Sequence, residues 1–232
     1  MLSTTVSGAC KLSAVMRTRF SKRWLDELAR KAESGDAEAA WFLADAYSSG
    51  EAFLPENRLA KVRRNPGKAL RWARVAASLG LPEAMALLGT LLTDSGKPEC
   101  IREGLAWLRR AYRKGCAVAA QNLAIVHSEL GHPRRCVFWL RKSCLRGESA
   151  DWFHLAVAHA AGYGVRRDLA EAGRLFGKVV ASADAFPCDR EAARQFLAMI
   201  EAGQPIRVTG SIGRISPEPA PKTRREPANP RK

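Results

Sequence analysis

The chain has 232 residues, of which 47% are apolar, and a formal net charge of +15 at neutral pH. This apolar fraction is sufficient for a buried core, so the composition excludes a wholly disordered protein. No segment approaches the roughly 20 consecutive apolar residues of a membrane-spanning helix, and no span is predicted.

The first residues show no clear periodicity, and we expect a disordered leader over residues 1–19. They contain no apolar run long enough for a secretory signal, and Met16 is a second candidate for the true start. No acidic residue precedes Asp26, whereas several basic and hydroxyl side chains do, so an organellar transit peptide is the alternative. The cysteines form no C-x-x-C pair, and a reducing cytoplasm is the predicted compartment.

Four glycines mark a repeat with a period of about 30 to 45 residues, which is typical of a solenoid. They are Gly35, Gly80, Gly115 and Gly147. A leucine stands eight positions after each glycine, and a small residue follows it. These pairs are Leu43 and Ala44, Leu88 and Gly89, Leu123 and Ala124, and Leu155 and Ala156. A tryptophan stands eight positions before each of the last three glycines, at Trp72, Trp107 and Trp139.

The apolar positions on both sides of each glycine follow the period of an α-helix. Each repeat is therefore predicted as helix A, a turn, helix B and the glycine, which ends helix B in the left-handed conformation. The leucines and tryptophans are predicted to fill the layer between hairpins. The small residues after the leucines are predicted to let two backbones approach closely.

The connector of the fourth repeat runs Gly162-Tyr163-Gly164-Val165-Arg166-Arg167-Asp168-Leu169-Ala170-Glu171-Ala172. It resembles the connector of the SEL-like repeat family, relatives of tetratricopeptide repeats, whose pattern is G-x-G-V-x-x-D-x-x-x-A. The resemblance covers roughly residues 20–203 and implies an all-α, right-handed α/α solenoid. It also implies that Asp168 caps helix B and that Ala172 packs against helix A.

Three repeats depart from this family pattern. The first carries about ten extra residues, Phe53 to Arg64, between its helices. The third replaces the glycine-valine connector by Leu130-Gly131-His132-Pro133, and the fourth has Asp151 where alanine is usual. Prolines nevertheless predict helix starts at Asn65-Pro66, Leu81-Pro82 and His132-Pro133.

The ends of the repeat array require capping helices, which we predict over Phe20 to Ser34 and over Asp189 to Ala202. The solenoid is thus expected to occupy residues 20–203. Residues 204–232 are rich in proline and basic side chains and are expected to be disordered.

The sequence carries none of the common catalytic motifs, namely the phosphate-binding glycine loop, the G-x-S-x-G elbow or H-E-x-x-H. We expect a protein that is not an enzyme and that uses no cofactor or metal. His127 and His159 occupy equivalent repeat positions and are interpreted as packing residues. Cys116, Cys136 and Cys144 are interpreted in the same way.

In the tetratricopeptide-like arrangement, the A-helix positions 3, 6, 10 and 13 residues after each glycine face a concave groove. Six of these residues are candidates for partner binding: Trp41, Asp45, Gln121, Ile125, Phe153 and Val157. Ile125, Phe153 and Val157 predict an apolar anchor site near the C-terminal end. The alternative is that Trp41 and Phe153 cover the capping helices and that the groove is empty.

Two functions remain open. The first is an adaptor whose groove holds a peptide or helix of another protein. The second is a basic, nucleic-acid-associated protein that binds through the convex B-helix face and the C-terminal tail. The basic side chains run without an acid from Arg58 to Arg74, and those from Arg134 to Arg146 do the same. We find no exposed aromatic residue among them, which favours the adaptor.

Overall fold

The computed structural model describes residues 23–54, 58–145, 149–204 and 206. The leader predicted over residues 1–19 lies outside the described residues, as does the predicted tail except residues 204 and 206. Within the described residues the chain forms ten helices and one two-stranded hairpin. The all-α fold of helical hairpins agrees with the prediction.

Helix α1 spans residues 23–33. The other elements are α2 (Ala37–Ser49), β1 (Glu51–Leu54), β2 (Arg58–Lys61), α3 (Pro66–Ser78), α4 (Pro82–Thr93), α5 (Pro98–Arg113), α6 (Val118–Glu129), α7 (Pro133–Cys144), α8 (Ser149–Ala161), α9 (Leu169–Ala181) and α10 (Pro187–Glu201). The chain divides into two compact units, one ending at Leu123 and the other beginning at Ala124. In the first unit, α2 packs on α3 and α4 packs on α5, and in the second, α8 packs on α9.

The helix ends follow the predicted chemistry. Gly35, Gly80 and Gly115 end α1, α3 and α5 with positive φ angles of 99°, 98° and 97°, whereas Gly147 lies outside the described residues. Side-chain oxygens cap the starts of α2 and α3, among other helices. Asp36 accepts the backbone N–H of Ala39 at 3.0 Å, and Asn65 accepts that of Lys68 at 2.9 Å. Pro66, Pro82 and Pro133 begin helices, as predicted.

The core of the first unit contains the predicted leucines. Leu43, Leu88 and Leu123 are buried, as is Trp72, while Trp107 is half-buried. Large apolar side chains at helical spacing thus form the packing layer, as the repeat pattern predicts.

Helices α4 and α5 approach closely at two glycines. A Cβ added at Gly89 would lie 2.9 Å from the carbonyl oxygen of Gly104 and 2.6 Å from Cγ of Leu108. The small residue at this repeat position therefore permits close contact of two backbones, as predicted. The opposing Gly104 stands eleven residues before Gly115, where Ala69 and Cys136 stand before Gly80 and Gly147, but the sequence analysis did not single it out.

The extra residues of the first repeat contain a short β-hairpin, which the helical pattern did not predict. Strand β1 pairs antiparallel with β2, with Glu51 opposite Lys61 and Leu54 opposite Arg58. Arg64 ties the returning chain to the end of α2, because its Nε donates to the carbonyl oxygen of Ser49 at 2.8 Å. Within the described residues, strand is confined to β1 and β2, of which β1 begins two residues before the insertion.

Three phenylalanines form the centre of the second unit. The rings of Phe176 and Phe196 are stacked at 5.0 Å between centroids, and Phe153 meets Phe176 at 5.7 Å and Phe196 at 6.0 Å. Phe196 belongs to α10, which begins two residues before the predicted capping helix and covers α9. This helix therefore closes the apolar end of the second unit.

The connector before α9 adopts the conformation that its glycines predict. Gly162 and Gly164 have φ angles of 74° and 66°, and a Cβ at Gly164 would overlap the carbonyl group of Pro133 at the start of α7. Asp168 caps α9 by accepting the backbone N–H of Glu171 at 2.9 Å. Ala172 is fully buried, as expected.

Asp151 is a polar exception in the core of the second unit. It is fully buried, and neither carboxylate oxygen has a hydrogen-bond partner in the part of the chain that the structure describes. The Nδ1 atom of His154 lies 3.8 Å from Oδ1, which is beyond hydrogen-bond distance. A buried carboxyl group without partners destabilises a fold, because its lost hydration is not replaced.

We expect Asp151→Ala to raise the free energy of unfolding by about 1–3 kcal/mol, since it removes an unsatisfied buried group. Urea denaturation of the full chain measures this change. Asp184→Ala, at an exposed position, is the control and should alter stability by no more than ~0.5 kcal/mol. A destabilised Asp151→Ala variant would show that the carboxylate has a stabilising contact.

Candidate interaction surfaces

In the first unit, helix α2 presents part of the predicted binding surface. Asp45 is exposed, whereas Leu43 and Ala44, two residues and one residue earlier, are buried. Trp41 is half-buried, and its ring contacts Phe42 with 4.9 Å between centroids. Phe42 is exposed, although it lies outside the predicted groove positions. The surface of α2 thus combines aromatic rings with a carboxylate.

Partial burial raises the pKa of Asp45 above its ordinary value, although the side chain remains open to solvent. The same cause raises the pKa of Asp94, at the end of α4. A partly dehydrated carboxylate gains more from a cationic partner than a fully hydrated one does. Asp45 is therefore suited to contact a basic side chain.

The remaining predicted groove residue of the first unit, Gln121, lies at the start of α6. Gln121 is half-buried. Its neighbour Asn122 donates from Nδ2 to Oγ1 of Thr90 at 3.0 Å, so the hydroxyl of Thr90 serves to join α4 to α6. Gln121 keeps the partial exposure that a contact residue needs.

The predicted groove residues of the second unit differ in their exposure to solvent. Ile125 is 45% exposed, as expected, but Phe153 is 6% exposed and Val157 is fully buried. The prediction that Phe153 and Val157 face an open groove is wrong, because α9 and α10 both pack on α8 and Phe153 lies against two phenylalanines of those helices. Both residues are core residues, which removes the predicted apolar anchor.

Helix α7 carries an exposed aromatic side chain that the sequence analysis missed. Phe138 is 53% exposed and lies on the same helix as Arg134, Arg141 and Lys142. The statement that the basic residues have no exposed aromatic neighbour is therefore wrong for this helix. The repeat pattern assigned only Trp139 here, and Phe138 packs edge-on against that ring at 5.2 Å.

The cysteines and histidines of the repeats differ in burial. Cys136 is buried and Cys144 is half-buried, and burial is the main cause that raises the pKa of each thiol to about 12, which favours the protonated form at neutral pH. His127 and His159 are buried, which confirms their interpretation as packing residues. Burial, followed by the charge of Arg141, lowers the pKa of His159.

Two further observations concern the described residues alone. No group of three or more His, Cys, Asp or Glu side chains in this part of the chain is arranged to hold a metal ion. No helix there is both long enough and apolar enough to cross a membrane.

The Sel1 repeat model matches four segments, residues 37–81, 82–116, 118–148 and 153–178. The chain belongs to the Sel1 repeat family. Each matched segment begins a few residues after one of the four repeat glycines. Sel1 repeat proteins generally mediate protein–protein interactions. A search of curated proteins finds no match.

Solved structures of similar proteins show the same fold. A protective antigen of uropathogenic Escherichia coli with an SLR fold superposes with a TM-score of 0.62 at 26% identity, covering 77% of this chain and 36% of the antigen. The chain thus spans just over a third of that relative's length. A Sel1 repeat protein of Oxalobacter formigenes superposes with a TM-score of 0.59 at 22% identity, and the match covers 84% of this chain and 71% of that protein. At this identity the likeness shows the fold alone.

Proposed function

We propose that this protein is a non-enzymatic adaptor that holds a peptide or helix of another protein along its A helices. The first unit offers Trp41, Asp45 and Gln121 as contact residues. The second unit offers Ile125. Phe153 and Val157 have no part in the proposal, because they are buried.

One observation carries this proposal. Asp45 and Ile125 stand ten residues after their repeat glycines and are both exposed, although the residues one and two positions earlier in each helix are buried. Equivalent positions of two repeats thus keep a side chain available to a partner. On α2, the exposed carboxylate of Asp45 suits a basic residue of a partner and the half-buried Trp41 on the same helix suits an apolar one, while the exposed Ile125 suits an apolar residue on α6.

Photo-crosslinking in the native host tests the proposal. We expect p-benzoylphenylalanine placed at position 45 or 125 to crosslink to one partner protein, which mass spectrometry identifies. The same label at Arg109, an exposed position of α5, is the control and should not crosslink to it. For the purified partner, Asp45→Ala and Ile125→Ala should each weaken binding by about tenfold, measured by titration calorimetry.

Both variants should melt like the wild type, because the substituted side chains are exposed. Crosslinking from Arg109 alone, with unchanged affinity of both variants, would contradict the proposal. Binding that falls steeply with salt would instead indicate contacts with phosphate and favour nucleic acid.

A further inference from the structure

A cleft in the second unit lies between α7 and the connector before α9. Its volume is about 470 Å³, and its lining includes Val137, Phe138, Leu145 and Val165. Phe138 and Leu145 are 53% and 80% exposed. Large side chains with this much exposed apolar area on one surface are typical of an interaction site.

Basic side chains surround this apolar lining. Arg134 and Arg141 are exposed at the cleft, and Nζ of Lys142 lies 5.7 Å from the ring centroid of Phe138. None of these three side chains forms an ion pair with another residue that the structure describes. None of the described residues that line the cleft is acidic. Among the described residues, the cleft therefore combines apolar side chains with positive charge that no described carboxylate neutralises.

The connector fixes one wall of the cleft. Gly164 lies so close to α7 that any side chain at this position would overlap the carbonyl group of Pro133. Arg167, in the same connector, donates from Nε to the carbonyl oxygen of Ala160 at 3.1 Å. The backbone of this wall is thus held in place without a ligand. Binding therefore costs less conformational entropy than it would if this wall had to become ordered.

The sequence indicates the charge of the segment that could bind in this cleft. Residues 1–22 contain basic side chains and no acidic one, and basic residues outnumber acidic ones in residues 207–232. Neither terminal segment is complementary to a basic cleft. The complementary occupant is an acidic segment of another protein, and the apolar lining requires it to carry large apolar side chains as well.

We propose that the cleft formed by α7 and the Gly164 connector binds an acidic peptide segment of a partner protein, with apolar side chains of the segment against Phe138 and Leu145 and its carboxylates against Arg134 and Arg141. This site is separate from the A-helix residues of the proposed function. Nucleic acid is less well matched, because the described lining contains one aromatic ring, that of Phe138, rather than a row of aromatic rings along a basic groove.

Fluorescence anisotropy of the full chain tests this site. The probe is a short fluorescein-labelled peptide in which glutamate and aspartate residues surround a phenylalanine and a leucine. We expect it to bind, and we expect Phe138→Ala and Arg141→Glu each to weaken binding by about tenfold. Melting curves should match the wild type, since both side chains are exposed.

Two variants and two peptides serve as controls. Arg109→Glu makes the same change of charge on α5 of the first unit, and Phe186→Ala removes an aromatic ring that is 62% exposed elsewhere in the second unit. Both should bind the probe like the wild type. A peptide with glutamine and asparagine in place of the acids, and one with serine in place of phenylalanine and leucine, should each bind at least about tenfold more weakly.

Several outcomes would overturn the proposal. Equal loss from Arg109→Glu would show that the probe senses only the net charge of the chain. Equal binding of the amide peptide would remove the role of the arginines. Tighter binding of a single-stranded oligonucleotide, lost in Arg141→Glu, would assign the cleft to nucleic acid. Self-association that Phe138→Ala abolishes in sedimentation would assign it to a second copy.

Discussion

Replacing Gly164 by alanine should destabilise the protein by about 2–5 kcal/mol. The residue has a φ angle of 66°, which costs an L-amino acid roughly 1–2 kcal/mol. The added methyl group would also overlap the Pro133 carbonyl group and lie 2.8 Å from the backbone nitrogen of Arg134. Backbone atoms cannot move aside as a flexible side chain can, so overpacking adds about 1–3 kcal/mol.

Gly131→Ala is a matched control for this variant. Gly131 has nearly the same φ angle, 67°, but a Cβ there would meet no atom within 4 Å. It should therefore show only the conformational cost, and urea denaturation of both variants separates the two contributions. Equal destabilisation of the two variants would show that the connector moves away from α7 without cost.

The double variant Phe153→Ala, Val157→Ala should lose about 5 kcal/mol or more of stability. Phe153 packs against both other phenylalanines of the core, and Val157 is fully buried beside them. Truncation of such side chains removes apolar burial and leaves a cavity, which costs about 3–5 kcal/mol for phenylalanine and somewhat less for valine. Thermal melting monitored by circular dichroism measures the loss.

Phe186→Ala removes an exposed phenylalanine of the same unit and should melt within a few degrees of the wild type. The original groove hypothesis predicts the opposite for the double variant, namely lost partner binding with an intact fold. If the double variant melted at the wild-type temperature, Phe153 and Val157 would be exposed side chains, and the packing described above would be wrong.

The sequence alone was sufficient to predict the repeat architecture. Gly35, Gly80 and Gly115 end helices in the left-handed region, Asp168 caps α9, and Pro66, Pro82 and Pro133 begin helices. All of these features depend on residues within about one helical turn, so they can be identified without knowledge of distant contacts. The buried leucines follow from the same local period, because an amphipathic helix turns its apolar face inward.

The β-hairpin of the first repeat marks a limit of this approach. Its strands are four residues each, too short for a strand pattern to stand out beside a strong helical period. The pairing of Glu51 with Lys61 depends on contacts across the insertion. The sequence identified the insertion but not its structure.

Only the tertiary structure decided which side chains of each helix are exposed. Phe153 and Ile125 were both predicted groove residues, yet α9 and α10 cover one while the other remains exposed. Phe138 stays exposed although it adjoins Trp139 in a helix with a clear apolar face, and Asp151 is buried although its side chain is charged in water. A helix's period predicts which residues share a face, whereas exposure of that face depends on the helices that pack against it from distant parts of the chain.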